Sequence, residues 1–425
     1  MPPRTSLGIR SPVHTAGITV VHPGDSLSGR QRLVYILVLG ALTALGPFTI
    51  DLYLPAFPIL EQDLDVPVSL IQLTLTGTTI GFAVGQLFMG PWSDKVGRRL
   101  PLILATSIHI LASVGAAFAP DIGWLMVFRV LQGAGAAAGG VVAMAMVRDL
   151  FGGKPLVRML SRLALVNGLA PIAAPVIGSQ LLLVLDWRGL FVFLAAYGLF
   201  VVIAVSLWIV ETLPPARRRD AGHSTVRDRY RSVFSDRVFV GVALIGGMSF
   251  SGLFAYLSSS SFLFQEVYDF DAQEYGLLFA VNSLGIVAGV QISSRLMRWY
   301  GPQWILACTT IVQLISAVTI VALTMADVGL FGVLVPLFFF ILSCGFGFPA
   351  VQVLALANHG HEAGTAASLL GALNFGLAGL ISPIVGVLGI GTAIPMGAVM
   401  AATSVVSVCA LWFIVQPKKV PALAG

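Results

Sequence analysis

Two charged residues lie deep inside long apolar runs of this 425-residue chain, Asp51 in the first run and Arg129 in the fourth. A charged side chain at the centre of a bilayer costs about 2.5–3.5 kcal/mol, so such residues are usually paired, hydrated or functional. The chemistry open to Asp51 is reversible proton binding and direct contact with a substrate. The alternative is a structural carboxylate that a neighbouring helix satisfies.

Arg129 lies about as deep in its run as Asp51 does in the first, so the two side chains are able to pair. We hypothesise that Arg129 favours the charged form of Asp51, because a nearby cation stabilises a carboxylate. A fixed strut that only holds helices together is an equally good interpretation of Arg129. Gln132 lies one turn further along the same helical face and extends a polar network.

The composition indicates that most of this chain faces lipid. Apolar residues make up 57% of it and charged residues 10%, against the ~25% charged residues of soluble domains. About 20 apolar residues cross the hydrocarbon core as a helix. The sequence therefore predicts an all-α membrane protein with twelve spans, at about 33–58, 69–91, 100–119, 122–147, 161–185, 188–211, 238–264, 274–298, 303–325, 328–357, 363–388 and 392–415.

The basic residues predict the orientation of these spans, because Lys and Arg collect on the cytoplasmic side. All of the 24 basic residues except Arg129 and Arg188 fall in alternate connections and in the two tails. The opposite connections are acidic, as in the segments 61–65 and 266–274. We therefore expect both termini in the cytoplasm of a bacterial cell, with the protein in its inner membrane. The net charge of +5 is then a topology signal and does not indicate nucleic-acid binding.

A long basic connection divides the spans into two sets of six. The expected organisation is a disordered cytoplasmic tail at 1–31, a first half at 32–211, a cytoplasmic linker at 212–237, a second half at 238–416 and a short tail at 417–425.

The most compact charged segment is Gly90-x-x-x-Asp94-x-x-Gly97-Arg98-Arg99, between the second and third spans. Asp94 and Arg98 are four residues apart and can pair on a helix. Asp149, at the end of the fourth span, is a further candidate partner of Arg98. We expect a cytoplasmic gate that holds the two halves together and opens with the cavity, in which Asp94 could also meet the start of the eleventh helix. Simple anchoring by positive charge is the alternative for the basic residues.

These residues resemble the loop signature of the major facilitator superfamily. Arg129-x-x-Gln132-Gly133 is similar to the drug-exporter motif of its fourth span. Ala170-Pro171-x-x-Ala174-Pro175-x-x-Gly178-Ser179 resembles the motif of drug:proton antiporters, with Ala174 and Ser179 where Gly is usual. The stretches that narrow the resemblance to the Bcr/CflA (bicyclomycin/chloramphenicol resistance) subfamily are 51–58, 256–262, 279–285 and 370–376. The resemblance implies two six-helix halves, and implies that the helix with Pro171, Pro175 and Gly178 limits ion leak.

Polar or aromatic residues within the spans are candidates for the lining of a substrate cavity. They are Phe48, Tyr53, Tyr256, Phe262, Asn282, Asn374 and Phe375. A cavity with aromatic rings, few hydrogen-bonding groups and one carboxylate suits amphipathic neutral or monocationic compounds. It suits sugars and dicarboxylates poorly, because these need many hydrogen bonds or several cations.

The sequence contains no phosphate-binding loop, since Gly152-Gly153-Lys154-Pro155 lacks the pattern. It also has no clustered metal ligands or catalytic set, so we expect no cofactor and no enzymatic activity. A lone buried carboxylate suits a proton better than Na⁺, which needs several oxygen ligands. The preferred function is drug:proton antiport by a monomer, exporting chloramphenicol-like or bicyclomycin-like compounds. A proton-coupled uptake or metabolite carrier of the same fold is the alternative.

Overall fold

The computed structural model describes residues 24, 27–215, 218, 226–357, 359 and 363–420. Within these residues, twelve helices are long and apolar enough to cross a membrane, which confirms the predicted number. In chain order their main α-helical parts are α1 Gly29–Asp51, α2 Val68–Val96, α3 Arg99–Ala117, α4 Ile122–Leu150, α5 Gly153–Leu181, α6 Trp187–Trp208, α7 Arg237–Phe262, α8 Ala272–Leu296, α9 Pro302–Met325, α10 Leu330–Leu356, α11 Ala363–Ile381 and α12 Ile394–Cys409, the last continued by a π-helical turn at Ala410–Val415.

The first span differs from the predicted helix at 33–58 because α1 stops at Asp51. A 3₁₀ turn at Leu54–Ala56 and a short helix at Phe57–Leu64 continue it. Pro55 and Pro58 lack backbone donors, which explains why one uninterrupted helix cannot form here. The break places the Asp51 carboxylate at the last residue of α1.

The predicted turn at 90–99 is mostly helical, since α2 continues to Val96 despite Pro91. The chain reverses at Gly97, which has a φ of 105° that favours glycine. A Cβ at Gly97 would also lie 2.6 Å from a Glu211 carboxylate oxygen. The real turn is therefore only about two residues long.

Three further boundaries differ from the prediction. The fifth span starts at Gly153 rather than near 161, and the eleventh is interrupted before a short helix at Ile384–Leu388. The expected linker 212–237 contains a ten-residue helix, Val226–Ser235. Residues 216–217, 219–225 and 421–425 and most of the expected tail 1–31 lie outside the described residues.

The two halves repeat one packing pattern, as expected for the predicted fold. In the first half α2 packs on α4, α3 on α4 and α6, and α1 on α4, α5 and α6. In the second half α8 packs on α10, α9 on α10 and α12, and α7 on α10, α11 and α12. Each of these first-half contacts thus has a counterpart six helices later. Between the halves, α2 packs on α11 and α5 on α8.

We call the end of the bundle with the α2–α3 turn the basic end and the opposite end, with residues 61–65, the acidic end. Four hydrogen bonds join the halves in the acidic-end part of the bundle. They run from Gln72 to the Ser258 carbonyl (3.1 Å), from Thr76 to Gly379 (2.9 Å), from Gln265 to Pro55 (3.1 Å) and from Gln273 to Ser179 (3.2 Å). The halves are therefore sealed together at the acidic end.

Candidate functional site

A cavity of about 340 Å³ lies between the two halves, a size that suits a drug-like ligand. It begins below the acidic-end seal, beside the end of α1, and extends toward the basic end along α5 and α8. Both halves line it. The lining residues with polar or aromatic side chains are Asp51, Phe82, Asn167, Phe250, Phe254, Tyr256, Phe279, Asn282, Ser283, Gln291, Phe348 and Phe375.

Asp51 is the charged residue of this lining, and the other described lining residues are neutral. The residue is 5% exposed, and the structure records no hydrogen bond or ion pair of its carboxylate with any described residue. Buried charges normally have a partner. A carboxylate in this setting must therefore find that partner in water, in a bound ligand or in a proton.

The position of Asp51 depends on a close contact between α5 and the end of α1. A Cβ on Gly178 would overlap the carbonyl oxygen of Leu52, the residue directly after Asp51. On the same helix Pro171 lines the cavity, and the Pro175 carbonyl approaches Gly276 of α8. The predicted antiporter motif thus lies on the helix that borders both Asp51 and the second half.

Arg129 lies in a fully buried polar cluster behind the cavity wall. Its guanidinium donates to the Gln132 side-chain oxygen at 2.5 Å and to the Thr49 carbonyl at 3.0 Å. Gln132 in turn donates to the Ser113 hydroxyl at 2.7 Å. The Arg129 carbon Cζ also lies 3.9 Å from the centre of the Tyr53 ring, which provides a cation–π contact. The predicted network of Arg129 and Gln132 is therefore present.

The suggested ion pair between Asp51 and Arg129 is absent among the described residues. The Arg129 donors are directed to Gln132 and Thr49, and an aromatic ring takes the place of a carboxylate at the guanidinium face. Thr49 lies two residues before Asp51, so Arg129 holds the last turn of α1 through the backbone. Whether Arg129 also favours the charged form of Asp51 stays a prediction.

Three of the seven predicted lining residues, Tyr256, Asn282 and Phe375, do line the cavity. Asn282 donates to the Tyr256 hydroxyl at 3.1 Å, and the Phe375 ring lies 4.6 Å from that of Phe82. These contacts connect α7, α8 and α11 with α2 around the cavity.

The other four lie elsewhere in this conformation. Phe48 stacks on Tyr197 of α6 at 5.3 Å, and Tyr53 lies beneath Arg129 with its hydroxyl on Thr74. Phe262 packs in the acidic-end seal, while Asn374 faces the backbone of Gly246. Tyr53 and Phe262 are fully buried, whereas Phe48 and Asn374 are half-buried, and all four contact neighbouring helices instead of the cavity.

Sequence reasoning missed most of the aromatic lining. Phe250 and Phe254 lie on one face of α7, Phe279 stacks on Tyr256, and Phe348 contacts Phe250. The spacing of Phe250, Leu253, Phe254 and Leu257 follows a single helical face. That periodicity predicts a common surface, although it does not distinguish a cavity wall from a lipid-facing one.

The basic end contains the second predicted cluster. Arg98 pairs with Asp94 at 2.6 Å and with Asp149 at 2.9 Å, as the sequence suggested. Arg99 donates to the Ser206 carbonyl. Gly90 lies on α2 against Val141 of α4 and takes no part in these bonds.

Glu211 completes this cluster and was not predicted. Its carboxylate accepts the backbone N–H groups of Arg98 (2.8 Å) and Arg99 (3.1 Å) at the start of α3. Burial raises the pKa of Glu211, but the backbone N–H groups of Arg98, Leu213 and Arg99 outweigh it and leave the pKa below its ordinary value. No local motif marks this residue, because its partners at the start of α3 are more than a hundred positions away.

The two ion pairs of Arg98 both join helices of the first half, and a separate pair at the basic end, His359 with Asp236 at 3.2 Å, lies within the second half. Asp94 is on α2, Asp149 on α4 and Glu211 just after α6, so these contacts brace one half internally. We expected the Arg98 pairs to join the two halves, but both recorded partners of Arg98 lie in the first half. A contact between Asp94 and the start of α11 stays a prediction.

The structure thus combines two equivalent six-helix halves, a shared cavity with a lone carboxylate, and a braced turn between α2 and α3. Residues 37–383 match the family model described as Major Facilitator Superfamily. The chain belongs to the major facilitator superfamily. It is accordingly a multi-pass membrane transporter rather than an enzyme.

Several curated superfamily members resemble the chain over nearly its whole length. It is 36% identical over 381 residues to the uncharacterised MFS-type transporter YdgK of Bacillus subtilis, which covers 89% of this chain and 94% of that protein. It is 29% identical to the bicyclomycin resistance protein homolog of Haemophilus influenzae and 28% identical to the multidrug resistance protein MdtL of Escherichia coli. Each of these two alignments covers 91% of this chain and 97% of the relative.

Solved superfamily structures confirm the fold. The xylose transporter XylE from E. coli, in a partially occluded inward open conformation, has a TM-score of 0.72 at 13% identity. The match covers 93% of this chain and 99% of XylE. At this identity the likeness establishes the fold alone.

Proposed function

We propose that this transporter exports amphipathic neutral or cationic drugs in exchange for protons, as a member of the Bcr/CflA group. The observation that carries the proposal is Asp51, the charged residue in an otherwise neutral, aromatic-rich lining. The relatives named for bicyclomycin resistance and multidrug resistance support the drug class. We further propose that the basic end and both termini face the cytoplasm, following the distribution of Lys and Arg.

The cavity chemistry supports this substrate class. The rings of Phe82, Phe250, Phe254 and Phe375 surround the ligand space, and aromatic faces attract apolar groups and cations. Asn167, Asn282 and Gln291 provide a small number of hydrogen-bonding groups. A sugar would need many more such groups, and an anionic metabolite would meet only the negative charge of Asp51.

The proposed cycle is alternating access around Asp51. With the acidic end sealed, a deprotonated Asp51 admits a drug from the basic end. The halves then rock until the acidic end opens, and a proton from that side neutralises the carboxylate and weakens its hold on the drug. Return of the protonated carrier releases the proton into the cytoplasm. Each turn thus exchanges drug for proton through mutually exclusive occupancy of one carboxylate.

The test is transport by Asp51→Asn protein in proteoliposomes, with chloramphenicol and ethidium as neutral and cationic probes. Asparagine keeps the shape but cannot bind a proton, so we expect proton-driven accumulation to fall at least about a hundredfold. The matched control is Asp65→Asn, an exposed position with a φ of 49° where asparagine is well tolerated. Undiminished proton-driven transport by Asp51→Asn would falsify the coupling role. Proton-driven movement of either probe only toward the basic side would instead indicate uptake.

A further inference from the structure

Four consecutive serines, Ser258–Ser261, lie fully buried near the acidic end of α7. Ser259 satisfies its own hydroxyl locally, by donating to the Ala255 carbonyl at 2.6 Å. Ser260 behaves differently, because its nearest backbone acceptor is 3.5 Å away while the hydroxyl of Tyr275 is at 2.9 Å. Its position therefore favours a bond between helices over the usual bond within the helix.

Ser260 stands between two buried tyrosines. Tyr275 is in the first turn of α8 at the acidic end, and Tyr256 is one turn before Ser260 on α7, in the cavity wall. The Ser260 hydroxyl is hydrogen-bonded to the Tyr275 phenol at 2.9 Å, and Tyr256 lies on the same face of α7, four residues earlier. Asn282 donates to the Tyr256 oxygen at 3.1 Å, which leaves the proton of that phenol free to be donated elsewhere.

The chain of hydroxyls ends beside the cavity carboxylate. Asp51 and Tyr256 line the same cavity. One helical turn separates Tyr256 from Ser260, which corresponds to about 6 Å along α7. Tyr275 is itself fully buried, so the three hydroxyls lie within the acidic-end part of the bundle, between the first turn of α8 and the cavity.

The first half offers no equivalent path among the described residues. Tyr53 is adjacent to Asp51 in sequence, but its ring lies under the Arg129 guanidinium at 3.9 Å. A fixed cation opposes the approach of a positively charged proton carrier. The electrostatics of the site therefore direct protons to Asp51 through the second half.

We propose that Tyr275, Ser260 and Tyr256 form a hydroxyl chain that delivers protons from the acidic end to Asp51. The inference rests on the proposed proton-coupled function and names the residues that carry its proton step. In each transfer a hydroxyl oxygen forms one O–H bond and releases its original proton to the next acceptor. The three hydroxyls are unchanged after they reorient, and the Asp51 carboxylate gains one proton.

The experiment compares two transport modes of the same purified protein in proteoliposomes, again with chloramphenicol and ethidium as probes. Proton-driven transport requires protonation of Asp51, whereas drug–drug counterflow without a gradient does not. For Tyr275→Phe and Ser260→Ala we expect proton-driven rates to fall at least about tenfold, while counterflow stays within about twofold of the unmodified protein. Ser260→Thr retains a hydroxyl and should restore the proton-driven rate.

Two matched controls remove similar groups outside the chain. Ser259→Ala deletes a neighbouring serine hydroxyl, and Tyr197→Phe deletes a half-buried phenol that donates to the Ala41 carbonyl in the first half. Both should keep the proton-driven rate. An equal loss of both transport modes in Tyr275→Phe and Ser260→Ala would show a structural role and overturn the hydroxyl chain.

The outcomes separate this inference from the proposed function. If Tyr275→Phe keeps full proton-driven transport while Asp51→Asn loses it, the hydroxyl chain is wrong and the proposed antiport function stands. Absence of proton-driven transport of both probes by the unmodified protein overturns the antiporter and the chain with it. A slower proton-driven rate in D₂O for the unmodified protein, with little isotope effect on counterflow, supports the chain.

Discussion

The two halves place polar clusters on equivalent helices, and the two clusters differ in charge. In the first half, on α1, α3 and α4, the Gln132 amide accepts from Arg129 and donates to Ser113. In the second half, on α7, α9 and α10, the Gln313 amide accepts from Ser249 at 3.0 Å and donates to the Cys344 sulfur at 3.3 Å.

A bridging glutamine is therefore common to both halves, while the donor to its oxygen is the Arg129 cation in the first half and the neutral Ser249 hydroxyl in the second. The scaffold needs a hydrogen-bonded tie between three helices at this depth, and either version supplies it. The cation is an addition that helix packing does not require. This difference indicates that the charge-dependent step belongs to the first half, where Asp51 also lies.

Removing the Arg129 cation is the most direct test of this difference between the halves. Arg129→Met keeps much of the side-chain volume but leaves the Gln132 oxygen and the Thr49 carbonyl without their donors. Each unpaired buried acceptor costs about 1–3 kcal/mol, and the last turn of α1 loses its restraint beside Asp51. We expect proton-driven transport to fall about a hundredfold, measured at matched protein levels in proteoliposomes.

The counterpart in the second half is Gln313→Leu. Interhelical hydrogen bonds in membranes contribute about 0.6 kcal/mol on average, so this variant should be only slightly less stable and should transport within about twofold of the unmodified protein. Similar losses in Arg129→Met and Gln313→Leu would show that both clusters serve packing alone. The pH dependence of transport by Arg129→Met also tests the hypothesis that Arg129 favours the charged form of Asp51. A pH dependence equal to that of the unmodified protein would reject the hypothesis.

The helices α5 and α11 hold equivalent places in the two halves and offer a second comparison. On α5, a Cβ at Gly178 would overlap the Leu52 carbonyl, whereas on α11 a Cβ at Gly376 would meet open space. Overpacking costs about 1–3 kcal/mol, so Gly178→Ala should displace the end of α1 and lower proton-driven transport about tenfold. Gly376→Ala should retain full transport in the same assay. Equal transport by the two variants would show that the α1–α5 contact does not position Asp51.

The helices were predictable because their signals are local and repeated. Apolar runs of bilayer length fixed the number of spans, and the alternation of basic and acidic connections fixed their grouping. The break after Asp51 was missed even though Pro55 and Pro58 were visible, because the apolar run continues through them. The helical nature of residues 90–96 was missed for the opposite reason, since charged residues were taken as a turn.

The site was only partly predictable because its contacts are remote in sequence. Asp51 and Arg129 were recognisable as charged residues within apolar runs, and this sequence context made their burial predictable. The direction of each side chain depends on neighbouring helices, which explains why Tyr53 and Phe262 were assigned to the cavity incorrectly. Glu211 could not be connected to Arg98 by spacing, since 113 positions separate the two residues.

The α2–α3 turn and its counterpart between α8 and α9 provide the third comparison. The second-half turn ends with Gly301, and α9 begins with Pro302, whose missing N–H needs no acceptor at a helix start. The described residues of that turn show no ion pair, and Arg295 and Arg298 are exposed. The first-half turn is instead held by the carboxylate of Glu211, just after α6, which accepts the first N–H groups of α3.

That carboxylate makes the first-half turn sensitive to pH. The backbone N–H groups of Arg98, Leu213 and Arg99, together with the charge of Arg218, outweigh burial and lower the pKa of Glu211. A lowered pKa means that the stabilisation is complete at neutral pH and is lost as the pH falls through the folded-state value.

We expect Glu211→Gln to reduce stability at pH 7 by about 0.3–1 kcal/mol, the usual contribution of a carboxylate at a helix N-terminus. In thermal unfolding of detergent-solubilised protein this deficit should shrink on acidification, because the unmodified protein then loses the same charge. A deficit of constant size from pH 7 to acidic pH would mean that the shape of Glu211, rather than its charge, holds the turn, and the two turns would then differ only in packing.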